Sequence, residues 1–154
     1  EMLGLAVPAR IQGHSFAGLL RGTAYEPREY VYAEKTFHTD YEPQRAIRSA
    51  SHKLIWNAEV DIINVAGDIM HSPIYPQMIN QLTIERPPFE LYDLVTDPLE
   101  QHNRINDADN TPIATELRQH LLAWMRRTND PLLNGPLASP YYRRALRLLT
   151  GDGE

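Results

Sequence analysis

The sequence predicts an α+β fold: a small antiparallel β-sheet of about four strands packed against a C-terminal α-helix. Two observations lead to this prediction. Short segments rich in Tyr, Val, Ile and Leu alternate apolar and polar residues, which is typical of strands. One later segment repeats large apolar side chains at helical spacing, which is typical of a helix that covers a sheet.

Residues 1–29 predict a short helix followed by a linker. Ser15 can cap the helix and Gly22 can end it, and residues 23–29 have the polar composition of a linker. Large apolar side chains, here called the N-terminal apolar set, precede the linker: Met2, Leu3, Leu5, Val7, Phe16, Leu19 and Leu20. They cannot all reach a sheet that starts at Tyr30, so we expect them to lie exposed or to contact another chain.

The four strands are predicted over residues 30–36, 44–49, 52–58 and 90–94. Polar side chains gather around a predicted loop between the first two strands: Lys35, His38, Asp40, Glu42 and Arg45. Pro43 is the expected breaker in this loop. Polar loops at the edge of a sheet often carry function, and the alternative interpretation is an exposed, solvated loop.

Residues 58–87 are the least regular part of the chain. They predict a strand over 60–65, a turn at Gly67 and Asp68, and a short helix over 72–83. The long helix is predicted over 111–128, with Thr111 as its cap and Pro112 in its first turn. Its apolar stripe consists of Ile113, Leu117, Leu121, Trp124 and Met125. A last helix over 141–149 is locally basic, and we expect it to present a solvated face.

The composition is that of a globular domain. The chain has 154 residues, 42% of them hydrophobic and 23% charged, which suffices for one core of ordinary size. Its net charge of −5 disfavours a nucleic-acid binder, because phosphates need a basic field. It contains no cysteine, which excludes disulfides and thiolate metal sites. No apolar run approaches the ~20 residues of a membrane span, so we expect a soluble chain in an undetermined compartment.

Several of these segments together resemble the C-terminal subdomain of sulfatases. The resemblance is carried by a strand ending at Glu34, by the segments 42–48, 52–57 and 90–100, and by a final stretch over 121–133. The branch that it resembles most contains the N-sulfoglucosamine sulfohydrolases (heparan N-sulfatases). The resemblance implies an alkaline-phosphatase-like superfamily member. It divides the chain into the tail and linker of a missing catalytic domain (1–29), the α+β subdomain (30–133, with an insertion at 58–87) and a C-terminal extension (134–154).

The resemblance also implies a chemistry: hydrolysis of a sulfate ester or sulfamate, with a formylglycine made from Cys or Ser in a C/S-x-P-x-R segment and with a Ca²⁺ ion. Neither element is visible here, since Ser72 and Ser139 directly precede prolines and have the wrong spacing. We therefore expect no catalytic residue and no metal ligand in this chain, and no activity from it alone. Ca²⁺ and formylglycine are implied for the complete enzyme, whose catalytic domain we expect upstream of Glu1.

What remains for this chain is contact with an anionic, sulfated small molecule or sugar. His38 and Arg45 are the predicted substrate-binding donors, and Asp40 and Glu42 are predicted acceptors for sugar hydroxyls. The alternatives are a surface histidine, and an arginine paired with Glu42 or Asp40 across the loop. For the whole chain, the alternative is a noncatalytic binding or interaction module.

Overall fold

The computed structural model describes the whole chain except residues 1, 12, 39, 61–64, 83–85 and 152–154. Its centre is a four-stranded antiparallel sheet in the order β1-β2-β3-β4. The strands are β1 (Val31–Phe37), β2 (Tyr41–Arg48), β3 (His52–Asn57) and β4 (Phe89–Asp93). The predicted fold class and all four predicted strands are confirmed.

The described part of the chain also contains five α-helices: α1 (Ala17–Leu20), α2 (Gly67–Met70), α3 (Tyr75–Leu82), α4 (Thr111–Arg127) and α5 (Pro140–Thr150). Short 3₁₀ turns precede and follow α4 at Ala108–Asn110 and Pro131–Asn134. The predicted long helix over 111–128 and the last helix over 141–149 are confirmed as α4 and α5. None of the described helices is long and apolar enough to cross a membrane.

The core lies between one face of the sheet and α4. Its buried side chains are Ile47, Leu54 and Leu91 from the sheet, Ala114, Leu117, Leu121 and Met125 from α4, and Leu132 from the turn that follows. Two members of the predicted stripe, Ile113 and Trp124, pack against this cluster while partly buried. Each fully buried large side chain stabilises the fold by about 1.5–3 kcal/mol before entropy is counted.

A β-bulge shapes the first hairpin. Lys35 pairs with Gln44 and Phe37 pairs with Tyr41, so two residues of β2 oppose one residue of β1. One of these two is Pro43, which is fully buried inside β2 and does not break the chain into a loop as expected. A bulge tolerates proline because the extra residue needs no ladder donor. The carbonyl of Pro43 still accepts a hydrogen bond from the Ala58 N–H at 3.0 Å.

The second hairpin turns through serine rather than glycine or asparagine. The Ser49 hydroxyl oxygen accepts from the N–H groups of Ser51 (3.3 Å) and His52 (3.0 Å). The Ser49 N–H donates to the His52 carbonyl at 2.9 Å, which closes the turn. A serine hydroxyl therefore satisfies the turn's donors where glycine usually supplies the conformation.

The insertion 58–87 differs from its prediction. Gly67 and Asp68 begin helix α2 instead of forming a turn, and the predicted helix over 72–83 begins later, at Tyr75. A helix from residue 72 would need an N–H of Pro76 to bond the Ser72 carbonyl, and proline has none. The predicted strand over 60–65 falls largely on residues 61–64, outside the described part.

The N-terminal apolar set is exposed, as predicted. Its side chains range from 55% exposed at Val7 to 85% at Leu3. The predicted end of α1 is confirmed, since Gly22 follows the C-cap Arg21 with a positive φ of 66°. At the other end the N-cap residue is Phe16 rather than the predicted Ser15, although the Ser15 hydroxyl accepts from the Ala17 N–H at 3.2 Å. Ala17 is the one fully buried side chain described in residues 2–29.

Candidate functional site

A cleft of about 270 Å³ opens where the β1–β2 hairpin meets the insertion. The hairpin contributes Lys35, His38, Asp40 and Glu42 to its lining, and the insertion contributes Ala66, Asp68, Ile69 and Arg86. This cleft, the hairpin cleft, brings together three of the four residues predicted as substrate contacts. His38 and Asp40 are exposed at the hairpin tip, where the His38 N–H donates to the Asp40 carbonyl at 3.2 Å.

Glu42 is the charged centre of the hairpin cleft. One of its carboxylate oxygens lies 2.5 Å from Lys35 Nζ, and the other forms an ion pair with the Arg86 guanidinium. The Glu42 side chain is 15% exposed, whereas Lys35 and Arg86 are 36% and 41% exposed. An ammonium and a guanidinium carry eight N–H donors between them, more than one carboxylate can accept. The two cations therefore retain donors for a ligand.

The electrostatics of the cleft reflect this crowding of cations. Burial lowers the pKa of Lys35 below its usual value, and the nearby charge of Arg86 lowers it further. Both effects disfavour the charged ammonium, so an anion bound between Lys35 and Arg86 would oppose them. The lining carries two basic side chains against three carboxylates, Asp40, Glu42 and Asp68. The carboxylates supply acceptors for hydroxyls, and the cations supply donors for an anionic group.

Arg45 lies behind the hairpin cleft rather than in its lining. Its side chain is 2% exposed and forms a bidentate pair with Asp130, with Nε 2.5 Å from Oδ2 and Nη2 3.0 Å from Oδ1. Its Nη1 also donates to the carbonyls of Lys35 (2.9 Å) and Gln44 (2.8 Å) and to the Thr36 hydroxyl (3.2 Å). The guanidinium thus ties both strands of the hairpin to the turn after α4.

The partner of Arg45 differs from the sequence-based alternative, which paired it with Glu42 or Asp40. Along β2 the buried residues are Pro43, Arg45 and Ile47, which face α4. Glu42 belongs to the other face of the strand, because successive side chains alternate. The substrate contact predicted for Arg45 stays a prediction, and the structure gives this residue a second role as a buried tie.

Asp130 is held in its charged form. Burial by itself would raise the pKa of this carboxyl, but hydrogen bonds from Arg45 and from the Leu132 N–H, together with the Arg45 charge, lower it on balance. The Leu132 N–H lies 3.0 Å from Asp130 Oδ1 and begins the 3₁₀ turn after α4. The same carboxylate therefore caps this turn and pairs with Arg45.

Three residues that line the hairpin cleft are not among the predicted contact residues: Lys35, Asp68 and Arg86. Lys35 belongs to the predicted polar group around the hairpin, and its position on a strand near Glu42 is a signal that could have identified it. Asp68 and Arg86 lie in the insertion, whose path could not be read from its pattern. No local feature of the sequence places either of them beside a hairpin that ends twenty or more residues earlier.

The described residues do not fit a calcium site. Among them, no group of three or more His, Asp or Glu side chains lies together in a way that could hold a metal ion. The two most buried carboxylates of the hairpin region are also committed to cations, Glu42 to Lys35 and Arg86, and Asp130 to Arg45. Ser139, one of the two serines that precede a proline, caps α5 through a bond from the Tyr142 N–H at 3.1 Å.

Over 96% of its length, the chain is 31% identical to an ulvan-active sulfatase of Formosa agariphila. The chain is similar to sulfatases. It spans 32% of that relative, and no family model matches it. Among solved structures it superposes on a 2-O GAG sulfatase with a TM-score of 0.61 at 27% identity, covering 91% of this chain and 26% of the other.

A third comparison supports the fold. A protein solved in complex with its substrate, D-glucosamine-2-N,6-O-disulfate, gives a TM-score of 0.59 at 24% identity, covering 86% of this chain and 22% of that one. The four-stranded antiparallel sheet with its helices matches the C-terminal part of sulfatases, an α+β fold. The resemblance to sulfatases stated from the sequence is thereby supported, while the N-sulfoglucosamine branch stays a prediction.

Proposed function

We propose that this chain is the C-terminal part of a sulfatase that hydrolyses a sulfate ester or sulfamate of a sulfated sugar. In this proposal the chain supplies substrate contacts, and the rest of the enzyme supplies the formylglycine and Ca²⁺. The observation that carries the proposal is the hairpin cleft, which gathers His38, Asp40 and Glu42 with two basic side chains. The similarity to sulfatases over almost the whole chain supports it.

The proposed roles follow from the chemistry of each group. Lys35 and Arg86 contact an anionic substituent, Arg86 by a planar pair of donors and Lys35 as a point charge. Asp40 and Glu42 accept hydrogen bonds from sugar hydroxyls, and His38 contacts the sugar at the exposed rim of the hairpin cleft. Arg45 positions the hairpin that carries these groups, because its guanidinium fixes both strands to Asp130.

The charge balance of the cleft favours a sugar over a free anion. Three carboxylates repel inorganic sulfate, whereas a sugar offers hydroxyls to those carboxylates and presents its sulfate to the two cations. We therefore expect the chain to bind a sulfated monosaccharide more tightly than either inorganic sulfate or the unsulfated sugar. Loss of the sulfate or loss of the hydroxyls should each weaken binding.

Binding to the 154-residue chain tests this proposal directly. Chemical shift titration with glucosamine bearing O-sulfate should move resonances of the β1–β2 hairpin, and the double variant Lys35→Gln, Arg86→Gln should abolish the movement. The matched control is Arg10→Gln, Arg48→Gln, which removes the same charge from exposed positions outside the cleft. Equal binding by the cleft variant, or equal affinity for inorganic sulfate, would contradict the assignment of the cleft.

The coding sequence upstream of Glu1 separates the enzyme from the alternative function, a noncatalytic binding module. A C/S-x-P-x-R segment preceded by Asp-rich metal ligands supports the sulfatase. A start codon directly before Glu1 would leave the chain with no nucleophile and would overturn the enzymatic part of the proposal. Sugar binding at the hairpin cleft would survive that outcome, so the two parts of the proposal fail separately.

A further inference from the structure

The last helix, α5, is segregated into an apolar half and a basic half. At 100° per residue, its apolar side chains fall within an arc of about 160° and its arginines within a separate arc of about 100°. The apolar half consists of Tyr141, Tyr142, Ala145, Leu146, Leu148 and Leu149. The basic half consists of Arg143, Arg144 and Arg147, and the helix contains no acidic residue.

Helix α5 adds no side chain to the core of the described structure. All its side chains from residue 141 to 150 are exposed, with Tyr141 and Leu149 each 83% exposed and Leu148 77%. None of its three arginines forms an ion pair or a guanidinium hydrogen bond with another described residue. The basic residues of α5 predict a solvated face, which fits its basic half but does not account for the six apolar side chains exposed to water.

We propose that α5 lies on an anionic phospholipid surface, with its apolar half inserted at the level of the headgroups and its arginines paired with lipid phosphates. A strongly two-sided helix with arginine on the polar face and leucine and tyrosine on the other is the type that binds in the plane of the interface. The complement of three unpaired guanidinium groups is a surface of negative charge. The helix lies on the bilayer and does not span it, because it has only 11 residues.

A second copy of the helix is a poorer occupant. Eleven residues give a helix about 16 Å long and about 10 Å wide, so two such faces bury far less than the roughly 1,000 Å² that a specific interface needs. A lipid surface has no such threshold, because partitioning grows with each inserted side chain. The body of the protein, which is acidic without α5, faces away from the membrane and is screened within about 8–10 Å at physiological salt.

The test is co-sedimentation of the 154-residue chain with vesicles of phosphatidylcholine alone and with 30% phosphatidylglycerol. We expect binding to the anionic vesicles only. The variant Leu148→Asp, Leu149→Asp should abolish it, and Arg143→Gln, Arg144→Gln, Arg147→Gln should weaken it by roughly fivefold for each arginine removed. Neither variant should alter the melting temperature, since α5 contributes nothing to the core.

Matched controls separate α5 from the N-terminal apolar set. Leu19→Asp, Leu20→Asp changes two neighbouring leucines of α1 that are each 61% exposed, and should leave binding unchanged. Arg10→Gln, Arg21→Gln, Arg48→Gln removes the same total charge from other exposed positions and should also have no effect. Equal loss in a control, equal binding to neutral vesicles, or a dimer in sedimentation that disappears with the Leu148 and Leu149 changes would each overturn the proposal.

Discussion

The buried pair of Arg45 and Asp130 offers the sharpest test of how the hairpin is held. In Asp130→Asn the carboxylate is lost while the amide keeps nearly the same shape, so the buried Arg45 retains only the exposed Glu34 carboxylate, 3.8 Å from its Nε, as a counter-charge. Both side chains are at most 2% exposed, and the pair is bidentate. Removing one partner of such a pair costs about 3–5 kcal/mol.

That cost is large compared with the free energy of unfolding of a typical domain, about 5–15 kcal/mol. At about 2–4 °C per kcal/mol for a chain of this size, we expect the melting temperature of Asp130→Asn to fall by roughly 10–15 °C. Urea unfolding followed by circular dichroism gives the free energy, and an unchanged slope would confirm that the folded state is otherwise intact. A matched control is Asp107→Asn, which removes the carboxylate of an exposed pair with Arg104 and should change stability little.

A double-mutant cycle isolates the pair. Arg45→Met combined with Asp130→Leu removes both charges. The loss of unfolding free energy in the double variant should therefore be smaller than the sum of the losses in the two single variants. The carbonyls of Lys35 and Gln44 lose their donor in Arg45→Met, which keeps the double variant below the parent. A cost below about 1 kcal/mol for Asp130→Asn, or strictly additive losses in the cycle, would refute the role of the pair as a structural tie.

Three further predictions follow from the same structure. The pKa of Asp130 is lowered in the folded state, so the ionised carboxylate stabilises the fold fully above the pKa of an unfolded aspartate, and this stabilisation is lost as pH falls through the lower folded pKa. The free energy of unfolding of Asp130→Asn should therefore depend less steeply on pH than that of the parent between about pH 5 and 2. Leu117→Ala should cost about 2–5 kcal/mol in urea unfolding, since Leu117 is fully buried, whereas Leu122→Ala on the same helix should cost much less because Leu122 is 37% exposed. The purified chain should show no turnover of an aryl sulfate or of N-sulfoglucosamine with Ca²⁺ present; turnover above the buffer control would show that the chain itself carries a reactive group.

The strands and the long helix were predictable because each carries a simple period. The alternation in residues 52–58 and the helical stripe from Ile113 to Met125 each follow from one buried face. The bounds of β2 were not predictable in the same way, since proline normally marks the end of a strand and the bulge lets Pro43 sit inside this one. The prediction for the insertion was wrong for a related reason: two prolines interrupt an apolar pattern that is too short to distinguish a helix from a loop.

The candidate site likewise has a part that could be predicted from the sequence and a part that could not. His38, Asp40 and Glu42 lie within five residues of each other, so a polar hairpin tip could be recognised from the sequence. Arg86 reaches Glu42 from a segment more than forty residues away, and only the assembled sheet brings the two together. Charge alone could not choose between Asp130 and the many other carboxylates as the partner of Arg45.

The position of Glu42 connects the fold to the proposed chemistry. Glu42 and Arg45 lie three residues apart on β2, so the alternation of side chains places them on opposite faces of the sheet. Arg45 binds Asp130 on the buried face, while Glu42 meets Lys35 and Arg86 on the other. The strand therefore separates two carboxylate–cation sets that lie close together in the sequence, one that fixes the hairpin and one that lines the cleft.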